Sequence, residues 1–201
     1  MGMWRGTDAT ASWTFPGCEG RKAEIEVYSP GTYVELFQDG ESLGKKETGV
    51  CKSKIYDYIP KKGTLIAVSY DEAGNKTDSC TLVSAGDNTK LTLRPDKTEM
   101  KADNEDMVFV DVSLTDNMGI VKNLEDQNVT VQVTGAAKLA GIGSANPITE
   151  ESYLGDTVST WNGRMGIWIR SNGHKGIAYI QVKTRYFGRY FENKKYFDTG
   201  R

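Results

Sequence analysis

The feature that most constrains this chain is the stretch from Glu24 to Gly44, where short alternating runs are separated by turn pairs. Glu24-Ile25-Glu26-Val27-Tyr28-Ser29 runs into Pro30-Gly31, Thr32-Tyr33-Val34-Glu35-Leu36-Phe37-Gln38 runs into Asp39-Gly40, and Glu41-Ser42-Leu43-Gly44 follows. Successive side chains on a strand point to opposite faces, so a period of two between turn signals predicts half-buried antiparallel strands. Ile25 and Val27 make one apolar face, and Val34 with Leu36, or their neighbours Tyr33 and Phe37, make the next. Pro30-Gly31 suits a tight turn, because Pro fixes φ and Gly accepts φ > 0. Asp39-Gly40 is a strong signal for a two-residue hairpin. Together these predict a meander of three strands.

The same grammar continues. Trp13-Thr14-Phe15-Pro16 opens the ordered part, Val50 to Ile59 alternates loosely, Thr64 to Tyr70 is a strong strand, and Lys76 to Val83 pairs back across Asp71-Glu72-Ala73-Gly74-Asn75. About seven strands in the first half have the spacing of a β-sandwich. Ser84-Ala85-Gly86-Asp87-Asn88 breaks the pattern with small and polar residues, which predicts a domain boundary with a hinge between Ala85 and Asn88. A second set follows at Lys90–Arg94, Met107–Thr115, Asn128–Thr134, Ala137–Ile142, Thr157–Trp161, Met165–Arg170 and Gly176–Lys183. No segment sustains helical apolar spacing over three turns. The chain therefore reads as all-β, with a first sandwich over residues 13–86 and a second over 87–201 that ends in a C-terminal tail. Residues 1–12 read as a linker, a disordered lead-in, or residues added ahead of the native chain.

Composition narrows the function. A formal net charge of -2 offers no basic excess for nucleic acid or an anionic membrane. No apolar run approaches the ~20 residues of a membrane helix. Cys18, Cys51 and Cys80 show no C-x-x-C spacing, which argues against zinc. Whether Cys51 and Cys80 pair across a sheet or stay ordinary thiols is left open. No cofactor is implied. Gly141-Ile142-Gly143 is a fragment of a dinucleotide fingerprint, but no helix and no third Gly follow. His174, the only histidine, sits in the turn Ser171-Asn172-Gly173-His174-Lys175-Gly176.

The aromatics are better candidates. Trp13, Trp161, Trp168, Tyr186, Phe187, Tyr190 and Phe191 would stack on sugar rings if exposed in a row; otherwise they pack in cores or between domains. Trp13, Trp161, Tyr186 and Phe187 are singled out for a sugar or interdomain contact. The tail aromatics, interleaved with Arg185, Arg189, Lys194 and Lys195, are the ones expected to form an exposed patch. The tryptophans fall at strand starts and inside alternating runs, where packing accounts for them. Around Trp168, the alternating Ile167 and Ile169 are the expected core face.

The order of these pieces resembles the C-terminal accessory region of bacterial β-galactosidases of glycoside hydrolase family 2. The resemblance runs through Trp13-Thr14-Phe15-Pro16-Gly17-Cys18-Glu19-Gly20, Ile25-Glu26-Val27-Tyr28-Ser29, Val34 to Lys45 and Gly63 to Asp71. In the second half it runs through Leu91 to Asp96, Ala102-Asp103, Phe109 to Val112, Asp116 to Gly119, Val131 to Gly135 and Asn162-Gly163-Arg164. Trp161 stands where the family usually has Phe, and Gly141 to Pro147 departs from its Gly-Asn-Gly-x-Pro loop. The resemblance covers roughly Trp13 to Lys183.

It implies two tandem immunoglobulin-like β-sandwich domains that follow a catalytic (β/α)₈ barrel in the parent chain. It implies a retaining hydrolase of terminal β-galactosides, with the glycan reached through the parent, whose two catalytic Glu lie on the barrel. No stretch here matches a barrel, so no catalytic residue and no metal ligand is named. The implied partners are that barrel and the glycan substrate, with no nucleic acid and no membrane. The implied compartment is periplasmic or extracellular. A carbohydrate-binding module and an Ig-like surface adhesin are the alternatives, the latter because the second domain is also similar to invasin-type repeats.

Overall fold

In the computed structural model, residues 9–49, 53–186 and 189–200 are described, and the chain divides after Ser84 into two compact units. The first holds β1 (Ala23–Tyr28), β2 (Tyr33–Gln38), β3 (Glu41–Glu47), β4 (Ser53–Tyr58), β5 (Thr64–Tyr70) and β6 (Lys76–Val83). These form an antiparallel pair β1-β4 and a four-stranded antiparallel sheet β3-β2-β5-β6. Val34 and Leu36 from β2, Leu65 from β5 and Tyr56 from β4 are buried together with Trp13, and Ile25 and Val27 of β1 pack on them. Of the two faces available on β2, Val34 and Leu36 are the inward one. On β4 the inward parity is Tyr56, and Ile55 is exposed. Burial, with the Glu35 carboxylate adding to it, pushes the Tyr56 hydroxyl up to about 12, and that hydroxyl donates to Val34 O at 2.9 Å.

The two turn pairs of the opening stretch behave differently. Asp39 and Gly40 have φ of 50° and 87°, and Gln38 faces Glu41 across them, as a two-residue type I′ hairpin requires. The Asp39 carboxylate then accepts from Thr64 N at 2.7 Å and from Gln38 Nε2 at 2.8 Å, fastening the hairpin to the start of β5. Pro30-Gly31 does not close a hairpin. β1 pairs with β4 and β2 with β3 and β5, so the chain changes sheets at this point, and the expected three-strand meander is corrected to a crossover. The reason is close approach. A Cβ on Gly31 would collide with Ser69 Oγ and stand 2.7 Å from Tyr70 O, while Thr32 N donates to that same carbonyl at 2.9 Å.

The second unit holds β7 (Lys90–Pro95), β8 (Met107–Thr115), β9 (Asn128–Gly135), β10 (Ala137–Gly143), β11 (Thr157–Ser159), β12 (Arg164–Ser171), β13 (Ile177–Tyr186) and β14 (Arg189–Asp198). Two antiparallel four-stranded sheets, β10-β12-β8-β7 and β11-β9-β13-β14, enclose a core of Val108, Val110, Val112, Leu114, Ile142, Ile167, Ile169, Ala178, Ile180 and Val182. Each unit is thus an antiparallel β-sandwich, and the chain is all-β with two tandem immunoglobulin-like sandwiches. The expected tail is corrected to a strand: β14 pairs with β13 from Ile177↔Asp198 to Tyr186↔Arg189, and Phe197 is buried in the core. Ala85 to Asp87, expected as a hinge, is tied into the second unit. Ala85 is buried, Gly86 N donates to Asp116 Oδ2 at 2.8 Å, and Lys122 Nζ donates to Asp87 O at 3.0 Å.

Candidate functional site

Three of the four residues singled out from sequence lie among the described residues. Trp13 is 5% exposed in the core of the first unit, and its carbonyl accepts from Ser84 Oγ at 2.6 Å. Trp161 is half-buried in the second unit, beside a type I′ turn in which Asn162 and Gly163 have φ of 52° and 70°. Tyr186 closes β13 opposite Arg189 in the other sheet of that unit, and Phe187 lies outside the described residues. Cys80 and Cys18 are free thiols, and Cys51 also lies outside the described residues.

A different aromatic cluster is assembled on the outer face of sheet β10-β12-β8-β7. On β12 the inward parity is Ile167 and Ile169, fully buried, which turns Gly166, Trp168 and Arg170 outward. On β8 the inward Val108 and Val110 turn Met107, Phe109 and Asp111 outward. Trp168 and Phe109 are cross-strand partners, and their ring centroids are 5.1 Å apart with 52° between planes. Trp168 stays 41% exposed, Phe109 36%, and Tyr153 of the 144–156 loop 58%.

Two facing glycines make room for these rings. Gly143 of β10 is the cross-strand partner of Gly166 of β12, and both are on the outer face. A Cβ on Gly166 would stand 2.6 Å from Phe109 Cε2 and 3.3 Å from Trp168 Cη2, and one on Gly143 would stand 2.8 Å from Tyr153 Cδ1. Atoms of the rings therefore take up the space that side chains would fill. The Gly141-Ile142-Gly143 fragment is explained by this geometry: Ile142 points into the core, the flanking glycines outward, and Ile142 N holds the loop by donating to Tyr153 O at 2.9 Å.

Charged groups rim the cluster. Arg164 Nη1 lies 3.4 Å from Asp111 Oδ2, both partly exposed, and Arg170 opposes Met107 across β12 and β8. The aromatics of the first unit are arranged otherwise. There the Lys45 ammonium sits 3.9 Å from the Tyr70 ring centroid and 5.3 Å from that of Tyr33, covering them, and Tyr70 Oη donates to Glu35.

The carboxylates of the second unit are engaged by backbone. Asp116 is buried, which raises its pKa, but N–H donors from Gly86, Ile120 and Met118 outweigh burial and hold it below the ordinary value. Asp126 accepts from Gly163 N. Among the described residues no group of three or more His, Cys, Asp and Glu is placed to hold a metal. His174 is exposed in its turn. Sequence reasoning named Trp168 only as one aromatic among many and missed Phe109 and Tyr153. The available signal was the Ile167/Ile169 alternation, which turns Trp168 outward.

Residues 91–189 match the family described as glycoside hydrolase family 2 C-terminal domain 5, and residues 20–78 match a domain of unknown function, DUF4982. The chain is 26% identical over 170 residues to beta-galactosidase BoGH2A of Bacteroides ovatus, across 83% of this chain and 19% of that protein. A solved glycosyl hydrolase family 2 member from Bacteroides cellulosilyticus superposes with a TM-score of 0.85 at 33% identity, covering 94% of this chain and 24% of its own. A family 2 member from strain DSM 14838 of that species gives 0.84 at 34% identity, over 91% and 25%. The chain spans about a fifth of the curated relative and about a quarter of these solved chains. With residues 91–189 matched by that C-terminal domain and both sandwiches matched by solved family 2 members, the chain is similar to the C-terminal part of glycoside hydrolase family 2 proteins.

Proposed function

We propose that these sandwiches are the non-catalytic accessory region of a retaining glycoside hydrolase that cleaves terminal β-galactosides in glycans, and that they brace or extend its catalytic (β/α)₈ barrel. One observation carries this reading: a family 2 glycosidase matches 94% of this chain while the chain spans 24% of it. The matched share is taken up by two sandwiches, and a barrel alone takes about 250 residues, more than the 201 present. Retention needs two carboxyl groups about 5–5.5 Å apart across the scissile bond, one of them with a raised pKa. The shifted carboxylates among the described residues move the other way. Glu19, Asp39, Asp71, Asp103, Asp106, Asp116 and Glu151 are all held below their ordinary values, which suits structural acceptors and not a general acid.

The galactoside is carried over from the B. ovatus relative. The same reading places the parent in the periplasm or outside the cell, where polymeric glycans are met. The test is hydrolysis of a chromogenic β-galactoside by this chain at high protein concentration. No turnover above the uncatalysed rate is expected. Turnover that survives repurification and vanishes on a single Glu substitution would overturn the reading.

A further inference from the structure

We propose that the outer face of sheet β10-β12-β8-β7 docks a single soluble glycan chain of pyranose residues, with Trp168, Phe109 and Tyr153 as the stacking surface. The inference stands on the platform itself and holds whether or not the region braces a barrel. Trp168 and Phe109 remain 41% and 36% exposed although a full core lies one residue away on each of their strands, and Tyr153 of the 144–156 loop is 58% exposed. An apolar patch of about 300 Å² falls in the range of the largest patch on a typical monomer, which is often functional.

Three features select a sugar. First, Gly143 and Gly166 leave space on the sheet surface into which Tyr153, Phe109 and Trp168 reach, and the three rings keep a large part of their surface in solvent. The electron-rich face of an aromatic ring attracts the C–H bonds of a pyranose, which are polarised by the neighbouring hydroxyl oxygens. Second, Arg164, Arg170 and Asp111 stand beside the rings, so donors and an acceptor for sugar hydroxyls are at hand. Third, the 52° between the Phe109 and Trp168 planes makes a twisted surface. That fits a free oligosaccharide and does not fit a flat crystalline polymer, which needs coplanar rings.

A protein partner fits less well. The three rings together expose about 300 Å², by the area of aromatic side chains, against about 800 Å² per side in a stable protein interface.

The experiment is isothermal titration of the chain with β-1,4-galactotetraose, xylohexaose and cellohexaose, with galactose as the short control. Saturable binding of at least one oligosaccharide is expected, with galactose at least tenfold weaker. Trp168→Ala should weaken that binding at least tenfold and Tyr153→Ala at least threefold, while Trp161→Phe leaves it unchanged. Tyr153 is on a loop and more than half exposed, so it provides a variant that keeps the fold if Trp168→Ala does not. No heat with any of the three at millimolar ligand would overturn the proposal. So would affinity unchanged in both variants, or a structure of the intact protein in which the catalytic part covers Trp168 and Tyr153. None of these readouts involves hydrolysis, so they separate from the test of the accessory role.

Discussion

Replacing Gly40 isolates the backbone contribution of one turn. Gly40 has φ of 87°, and nothing lies within 4 Å of where its Cβ would be. A side chain there neither clashes nor gains contacts, so the whole effect is conformational. An L-residue in the left-handed region costs about 1–2 kcal/mol, and a β-branched one falls at the upper end. For a domain of 60–100 residues, about 1 kcal/mol moves the melting temperature by about 4–8 °C. Gly40→Val should therefore lower the transition of the first unit by about 8–16 °C, at ~2 kcal/mol. Gly40→Asn should recover roughly half of that, because Asn tolerates positive φ. Differential scanning calorimetry reads both. An unchanged melting temperature for Gly40→Val would refute the assignment of a type I′ turn and the reasoning built on it.

Gly31→Ala should destabilise the first unit by about 1–3 kcal/mol through overpacking, since its Cβ would meet Ser69 and Tyr70 O; chemical denaturation measures it, and a neutral result would remove the close approach as the reason for glycine. Asp116 bears on pH. Its folded pKa lies below the ordinary value of about 3.9, so its contribution is present above that pH and is lost as pH falls through the folded value. Asp116→Asn should flatten the acid limb of a stability-versus-pH curve below about pH 4, and an unaltered slope would argue against it. Limited proteolysis should cut the 144–156 loop, where Ile148 and Leu154 are largely exposed, before residues 85–87, which are tied to Asp116 and Lys122; a first cut at 85–87 would restore the hinge.

What could be read from sequence was whatever alternated. Val108, Val110, Val112 and Leu114 are all fully buried, and β8 spans Met107–Thr115 as their period predicts. Asp39-Gly40 carried its own turn chemistry. Pro30-Gly31 looked equally local, but its glycine is required by Ser69 and Tyr70, far along the chain, which no local pattern encodes. β14 was missed because Arg189-Tyr190-Phe191-Glu192-Asn193-Lys194-Lys195 has no aliphatic alternation, although Phe197 of this strand is placed in the core. The aromatic platform was half legible. Alternation turned Trp168 outward, but Phe109, Tyr153 and the Gly143–Gly166 pair meet it only through the strand order β10-β12-β8.

The most direct test of the central claim uses the intact glycosidase of which this region is proposed to be a part, compared with the same protein ending before Trp13. Turnover of an unhindered β-galactoside with retention of anomeric configuration should survive the truncation, while the melting temperature of the remaining protein falls. Complete loss of turnover from a truncated protein that keeps its melting temperature and circular dichroism would contradict the claim, because it would place a residue essential for catalysis within these two sandwiches.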